Sequence, residues 1–205
     1  MKYPKVLESK VKICFHACHP FNHTSTFKTT LTIFSFFFTI CCSAQTFTLK
    51  SKELGGQATS RQLLNGFGCT GENISPQMLW ENAPKNTKSY AITMFDENAR
   101  TGSGWWHWVI FDIPSQCSEI LSDAGNVKRG IAPPGCIQSK TDFGTLGYSG
   151  PCPPPKSGFH KYILTIYALD TEKLGLDANA NPAMVGFYLS NHTLGKASII
   201  TYYKN

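Results

Sequence analysis

The chain has 205 residues, enough for one ordinary domain with an appendage but too few for two sizeable domains. A hydrophobic share of 41% together with 17 Gly and 12 Pro excludes a disordered chain, a collagen-like repeat and a coiled coil. A net charge of +6 would suit a protein that binds nucleic acid or an acidic membrane surface, but this charge is unevenly distributed along the chain.

Residues 1–44 differ in composition from everything that follows. They carry five Lys against a single Glu, and an uncharged run then covers residues 29–49, with its apolar centre at 31–42. A basic segment, a short apolar run and the small residues Cys42, Ser43 and Ala44 are typical of a secretory signal peptide cleaved after Ala44. The alternative is an uncleaved membrane anchor through residues 29–49, although a spanning helix needs roughly 20 mainly apolar residues. We therefore predict an exported protein, periplasmic or secreted.

Residues 45–205 are predicted to form a single mature domain. Their net charge is only +2, which gives no support to a nucleic-acid partner. The domain retains four cysteines, and an even number in an exported domain favours disulfides, with three possible connectivities. Free buried thiols are the alternative if residues 1–44 do not act as an export signal. The four cysteines are Cys69, Cys117, Cys136 and Cys152.

Short β-type stretches dominate this domain, each rich in β-branched and aromatic residues and bounded by turn formers. They cover residues 46–49, 78–81, 90–95, 106–113, 162–169 and 198–203. One helix is predicted over 181–189, where Asn181 supplies a cap and Pro182 occupies the first helical position. Because strands and helices do not alternate, we predict a mostly antiparallel β-sandwich rather than a dinucleotide-binding fold.

Three polar side chains lie where predicted strands meet loops, namely Asp96, His107 and His160. From such positions side chains can converge at one end of a sandwich. A pocket with two imidazoles, a tyrosine hydroxyl and loop N–H groups would suit phosphate or a similar anion. A structural role is the alternative for each histidine.

A tryptophan cluster surrounds the first of these histidines. Since side chains alternate along a strand, Trp106 and Trp108 are predicted on one face, with Trp105 and His107 on the other. The cluster fits a hydrophobic core better than a platform for a ligand.

Several segments, in order, resemble the phosphatidylethanolamine-binding protein family, and above all its bacterial, Raf-kinase-inhibitor-like branch. The resemblance spans about 47–203. The segments are Asp-Glu-Asn-Ala at 96–99, Gly-Trp-Trp-His-Trp-Val at 104–109, Asp-Phe-Gly at 142–144, Tyr-Ser-Gly-Pro-Cys-Pro-Pro at 148–154, Gly-Phe-His-Lys-Tyr at 158–162 and Gly-Phe-Gly-Cys-Thr-Gly-Glu-Asn-Ile-Ser-Pro at 66–76.

This resemblance implies a Greek-key antiparallel β-sandwich with one or two short peripheral helices and a small pocket at one end. It implies a phosphate-like anion or phospholipid head group as ligand, a possible kinase or protease target, and no cofactor. The ligand-binding residues carried over are Asp96, Trp105, His107, Gly150, Pro153, Pro154, His160 and Tyr162.

The chain departs from the family pattern beside the expected pocket. Many members have Asp-Pro-Asp-Ala-Pro where this chain has Asp-Glu-Asn-Ala-Arg at 96–100, which leaves the rigidity of that loop open. Lys161 replaces a more frequent Arg, and we expect local positive potential from His107, His160 and Lys161 at the pocket mouth. Cysteines are frequent in this branch at the positions of Cys69 and Cys152, so the resemblance favours a Cys69–Cys152 disulfide. Cys117 and Cys136 are additional to the family pattern, and we expect these two to pair with each other.

Three functional hypotheses follow. The first is an exported binding or inhibitory module without turnover. The second is a hydrolase or lyase in which His107 and His160 act as acid and base, with Asp96 orienting one of them. The third is an interaction domain with a vestigial pocket. Ser149 is not in a G-x-S-x-G elbow, and the domain has no H-x-x-x-H or C-x-x-C spacing, so neither an activated serine nor a metal is predicted.

Overall fold

The computed structural model describes residues 45–205. The predicted signal peptide or anchor in residues 1–44 lies outside the described residues. The helix of residues 45–205 has 11 residues, fewer than the roughly 20 that would carry a helix through a bilayer.

Ten strands and one helix are described in this part of the chain. They are β1 Thr48–Lys50, β2 Asn65–Gly66, β3 Cys69–Thr70, β4 Met78–Glu81, β5 Ser89–Asp96, β6 Trp105–Pro114, β7 Glu119–Ile120, β8 Ile137–Gln138, β9 His160–Leu169, α1 Pro182–His192 and β10 Thr193–Tyr203. The prediction of a mainly β fold with one short helix is confirmed. The four two-residue strands were not predicted, because two residues carry no periodicity.

Two antiparallel sheets form the sandwich. One has the strand order β1-β4-β7 and the other β10-β9-β5-β6-β8, while β2 and β3 form a separate hairpin. In the larger sheet β5, β6 and β8 lie side by side in chain order, and the next strand, β9, returns to pair with β5. This strand order is that of a Greek key. The core between the sheets combines Met78 and Trp80 from the small sheet with Ile92, Trp108 and Leu164 from the large one.

The helix covers the outer face of the larger sheet. It begins as predicted, with the Oδ1 of Asn181 accepting a hydrogen bond from the N–H of Met184 at 2.8 Å. Val185 and Leu189 are buried against Val109 and Phe111 of β6. These contacts form a second hydrophobic cluster on the outer face of the larger sheet, which explains why the long strands are apolar on both faces.

A β-bulge interrupts β6 next to His107. Met94 pairs with Trp108 and Phe95 pairs with Trp106, so two steps along β6 match one step along β5. As a result, Trp106 packs in the cluster beneath the helix while Trp108 is fully buried between the sheets. The prediction that these two tryptophans share a face is therefore wrong, because strict alternation fails at a bulge.

Candidate functional site

The register of the larger sheet brings the candidate polar residues to one end of the sandwich. Asp96, the last residue of β5, pairs with Trp105 of β6 on one side and with Tyr162 of β9 on the other. Because all three strands are antiparallel, the end of β5 meets the beginnings of β6 and β9.

A cavity of about 670 Å³ opens at this end. Seven of the eight expected ligand-binding residues line it: Asp96, Trp105, His107, Pro153, Pro154, His160 and Tyr162. Its wall also includes Phe67, Arg100, Asp142 and Phe143, which sequence reasoning did not single out as site residues. Phe67 and Phe143 lie at loop positions, where periodicity gives no signal.

His107 is buried and is held through one ring nitrogen. Its Nδ1 lies 2.7 Å from the carbonyl oxygen of Ser149, and because a carbonyl can only accept, Nδ1 carries the proton. Burial lowers the pKa of His107, and the bond to Ser149 and the nearby Asp96 carboxylate oppose that effect only in part. In the neutral ring, Nε2 is thus the free nitrogen and is a hydrogen-bond acceptor.

His160 is held differently, by a carboxylate. Its Nδ1 lies 2.7 Å from Oδ2 of Asp96, and both side chains are almost completely buried. Asp96 therefore balances the charge of His160 when both ring nitrogens are protonated, and in that form Nε2–H can donate to a ligand. The other carboxylate oxygen, Oδ1, accepts from the N–H of Asn98 at 2.9 Å.

Tyr162 lies between the two histidines in the cavity wall. Its ring centroid is 5.1 Å from that of His107 and 6.4 Å from that of His160. Burial and the Asp96 carboxylate raise the pKa of Tyr162, which keeps the hydroxyl protonated. Within the described residues this buried hydroxyl makes no well-aligned hydrogen bond, although the Asp96 carboxylate is close enough to raise its pKa. Such an orphan donor in a cavity wall is the kind of group that a ligand satisfies.

Gly150 does not line the cavity, although it was expected among the ligand-binding residues. Its N–H donates to Oδ1 of Asn73 at 2.8 Å, while Nδ2 of Asn73 donates to the carbonyl of Tyr148 at 3.2 Å. A Cβ at Gly150 would lie 2.0 Å from the carbonyl oxygen of Gln62. In the structure Gly150 therefore allows close backbone packing that positions the loop carrying Ser149.

The loop between β5 and β6 is tied to β9 despite its departure from the family pattern. Oδ1 of Asn98 accepts from the N–H of Lys161 at 2.9 Å, and Glu97 forms an ion pair with the side chain of Lys161. The charge of Lys161 is therefore compensated, and Lys161 is absent from the cavity wall. We expected Lys161 to contribute positive potential at the pocket mouth. In the structure, the Lys or Arg side chain that lines the described cavity is Arg100 instead.

One of the two implied disulfides is present. Cys69 is bonded to Cys152 with a Cα–Cα distance of 5.9 Å, which ties the β2–β3 hairpin to the loop that carries Pro153. Cys117 and Cys136 are free thiols, each partly buried against the core between the sheets. The expected Cys117–Cys136 disulfide is thus not formed in the structure, where both thiols instead pack as small apolar groups against the core.

Residues 45–205 contain no group of three or more His, Cys, Asp or Glu side chains placed to hold a metal ion. Ser149 lines a neighbouring cavity of about 620 Å³ and not the cavity of the two histidines. Its hydroxyl lies 3.4 Å from that of Thr145.

Comparisons with known proteins agree on one family. The model of the phosphatidylethanolamine-binding protein family matches residues 55–204. The chain is 39% identical to the UPF0098 protein YbcL of Escherichia coli K12 over 170 residues, 82% of this chain and 93% of YbcL. It is 43% identical to the UPF0098 protein YbhB of the same organism over 145 residues, 71% of this chain and 90% of YbhB.

A solved structure agrees with these sequence matches. The crystal structure of Escherichia coli YbcL, described as a new member of the mammalian PEBP family, superposes with a TM-score of 0.76. That match covers 78% of this chain and 98% of the YbcL chain at 39% identity.

Proposed function

The chain belongs to the phosphatidylethanolamine-binding protein family, and on that premise we propose that it is an exported binding protein for a small phosphate-like anion. The anion is held between His107 and His160, as a free phosphate compound or as the head group of a phospholipid. Binding without turnover is the activity proposed.

The observation that carries this proposal is the unpartnered hydroxyl of Tyr162 in a cavity that also contains two histidines. A buried hydroxyl without a partner costs folding free energy, on the order of 1–3 kcal/mol. A bound anion would recover that cost by accepting from the hydroxyl and from Nε2–H of doubly protonated His160.

The state of His107 restricts the ligand further. With its proton on Nδ1 and a lowered pKa, neutral His107 offers an acceptor at Nε2. The matching ligand donates there, as a phosphate monoester does when one of its oxygens is protonated. The phosphodiester of a phospholipid head group carries no such proton, so a head group would have to donate through its ammonium or a hydroxyl. Because the second pKa of such esters is about 6, we expect affinity to fall as the pH rises above that value.

The export part of the proposal is supported by two independent features. The leader pattern of residues 1–44 is that of a signal peptide, and Cys69 and Cys152 form a disulfide, which persists in oxidising compartments. An inhibitory action on a kinase or protease, which the family resemblance also implies, would add a protein partner to the small ligand.

Titration calorimetry with inorganic phosphate and with phosphoethanolamine tests the proposal. Tyr162→Phe removes only the unpartnered hydroxyl, so we expect weaker binding by about tenfold while the protein is no less stable. His107→Ala and His160→Ala should lose binding as well. His192→Ala is the matched control, because His192 is half-exposed and pairs with Asp170 away from the cavity. Equal affinity of the wild type and the Tyr162→Phe variant would exclude the hydroxyl as a ligand contact, and equal affinity of all three cavity variants would exclude this cavity as the binding site.

The second candidate is a hydrolase or lyase, and the Asp96–His160 pair is the observation that favours it, since a carboxylate orients a catalytic histidine in the same way. Ser149 does not line this cavity, so a hydrolase would need water as the nucleophile, whereas a lyase would need only the two histidines as base and acid. Turnover of a panel of esters and phosphoesters, lost in His107→Ala but retained in His192→Ala, would replace the binding proposal with this one.

A further inference from the structure

Arg100 is the Lys or Arg side chain in the described wall of the cavity. Six ionisable side chains line the described wall: Asp96, Arg100, His107, Asp142, His160 and Tyr162, of which Tyr162 stays neutral because its pKa is raised. The Asp96 carboxylate is hydrogen-bonded to Nδ1 of His160 at 2.7 Å deep in the cavity, and burial lowers the pKa of His107, which favours its neutral ring. Among the described residues Arg100 forms no ion pair, and its side chain is exposed to solvent.

The nearest other cations do not share this role. Lys161 is paired with Glu97 and does not line the cavity. Lys128 lines the neighbouring cavity, on the other side of the wall formed by Phe67 and Phe143. The opposing charge is Asp142, whose Oδ2 already accepts from the N–H of Trp106 at 2.8 Å.

We propose that Arg100 makes this cavity select ligands that carry a second negative group beyond the anion held between His107 and His160. This inference rests on the proposed function and names its ligand class: small phosphate monoesters with an additional carboxylate or phosphate. The guanidinium is a planar fork that matches such a group with two hydrogen bonds. It repels the ammonium of an ethanolamine ester at the same place.

The position of Arg100 supports a role in selecting the outer group and not in holding the inner anion. It lies in the loop between β5 and β6, which Asn98 and Glu97 tie to Lys161 of β9, so the start of the loop is fixed. The inner end of the cavity is supplied by buried groups, whereas the exposed Arg100 can reach only the solvent side of a bound ligand.

A charge series of three similar esters tests this inference: 2-phosphoglycolate, ethyl phosphate and phosphoethanolamine. For the wild type we expect affinity to decrease in that order, with about fivefold between neighbouring members, the size of one partly exposed charge interaction. Arg100→Ala should remove most of this preference, and Arg100→Glu should invert it. In 0.5 M salt the preference of the wild type should shrink, since screening acts on exposed charges.

Lys128→Ala is the matched control, because it removes one exposed positive charge that lies outside this cavity, and it should keep the wild-type order. Tighter binding of phosphoethanolamine than of ethyl phosphate by the wild type would assign the outer position to Asp142 and overturn the inference. Equal weakening of all three esters by Arg100→Ala would overturn it too, because the guanidinium would then act on the phosphate. If none of the three esters binds the wild type, the proposed function fails, and the inference fails with it.

Discussion

Two buried histidines on neighbouring strands are held in opposite ways. The Nδ1 of His107 donates to a backbone carbonyl, which cannot compensate a positive charge, whereas the Nδ1 of His160 bonds to the Asp96 carboxylate, which can. His107 therefore offers a ligand an acceptor at Nε2, whereas the carboxylate beside His160 leaves that ring able to offer a donor when both of its nitrogens carry a proton. This asymmetry follows from the partner of each ring and not from the residue type.

The lowered pKa of His107 predicts how stability depends on pH. In the unfolded chain the histidine takes up a proton near its ordinary pKa of 6.5, while the folded protein resists that proton. The unfolded state thus binds more protons in this range, and the free energy of unfolding falls as the pH drops below about 6.5. One proton contributes at most about 1.4 kcal/mol per pH unit.

Urea unfolding of the wild type and of His107→Gln between pH 5 and pH 8 measures this effect. The variant should lose less stability on acidification, since it has no imidazole to protonate. Parallel curves for the two proteins would show that other groups cause any acid destabilisation.

At the scale of elements, loops and not strands complete the cavity. The loop of residues 141–155 is attached to β6 through four contacts. Asp142 accepts from the N–H of Trp106 and donates its own N–H to the carbonyl of Trp106, while both the N–H and the carbonyl of Ser149 bond to His107. Gly150 lets this loop pack closely on the segment around Gln62 and Leu64. The loop positions His107, although it supplies few of the polar groups itself.

Gly150→Ala should be destabilising, because its Cβ would lie 2.0 Å from a carbonyl oxygen and 2.6 Å from a backbone nitrogen. We expect a loss of about 1–3 kcal/mol in the free energy of unfolding, measured by urea denaturation. Gly186→Ala is the comparison, since a Cβ there meets nothing within 4 Å inside α1. Helix propensity should then make that variant more stable by about 0.5–1 kcal/mol. A neutral Gly150→Ala variant would contradict the close packing of this loop.

The disulfide joins two further elements of the cavity wall. Cys69 and Cys152 are 83 residues apart in sequence, so the bond constrains a long segment of the unfolded chain. The double variant Cys69→Ala/Cys152→Ala should lose roughly 2–4 kcal/mol of stability. A reducing agent should lower the melting temperature of the wild type but leave that of the double variant unchanged. An effect on the double variant would reveal a second disulfide between Cys117 and Cys136.

At the scale of the whole molecule, the charge is divided between the two parts of the chain. Of the net +6, the first 44 residues carry +4, and residues 45–205 carry only +2. If residues 1–44 are a signal peptide, expression of the full chain in a bacterium that exports proteins should yield a mature product beginning at Gln45, as measured by intact mass. Recovery of the uncut chain in the membrane fraction would instead support an anchor through residues 29–49.

Most of the architecture could be predicted from local patterns. The strand predicted at 78–81 has the bounds of β4, and the long strands β5, β6 and β9 extend only one or two residues beyond either end of the predicted ranges. The helix start was predictable because Asn181 and Pro182 satisfy backbone geometry locally. The bulge at His107 was not, since it depends on how β6 pairs with β5.

The sequence by itself determined the sandwich, the helix, the family resemblance and the presence of two histidines at strand starts, because these depend on local periodicity and on ordered motifs. Only the tertiary structure decided which charged side chains have a partner of opposite charge and which polar groups are left without a hydrogen bond. It paired Lys161 with Glu97 and His160 with Asp96, and it left the Tyr162 hydroxyl without a partner among the described residues. These outcomes depend on contacts between residues far apart in the chain, whose distances and burial are set only when the strands pack.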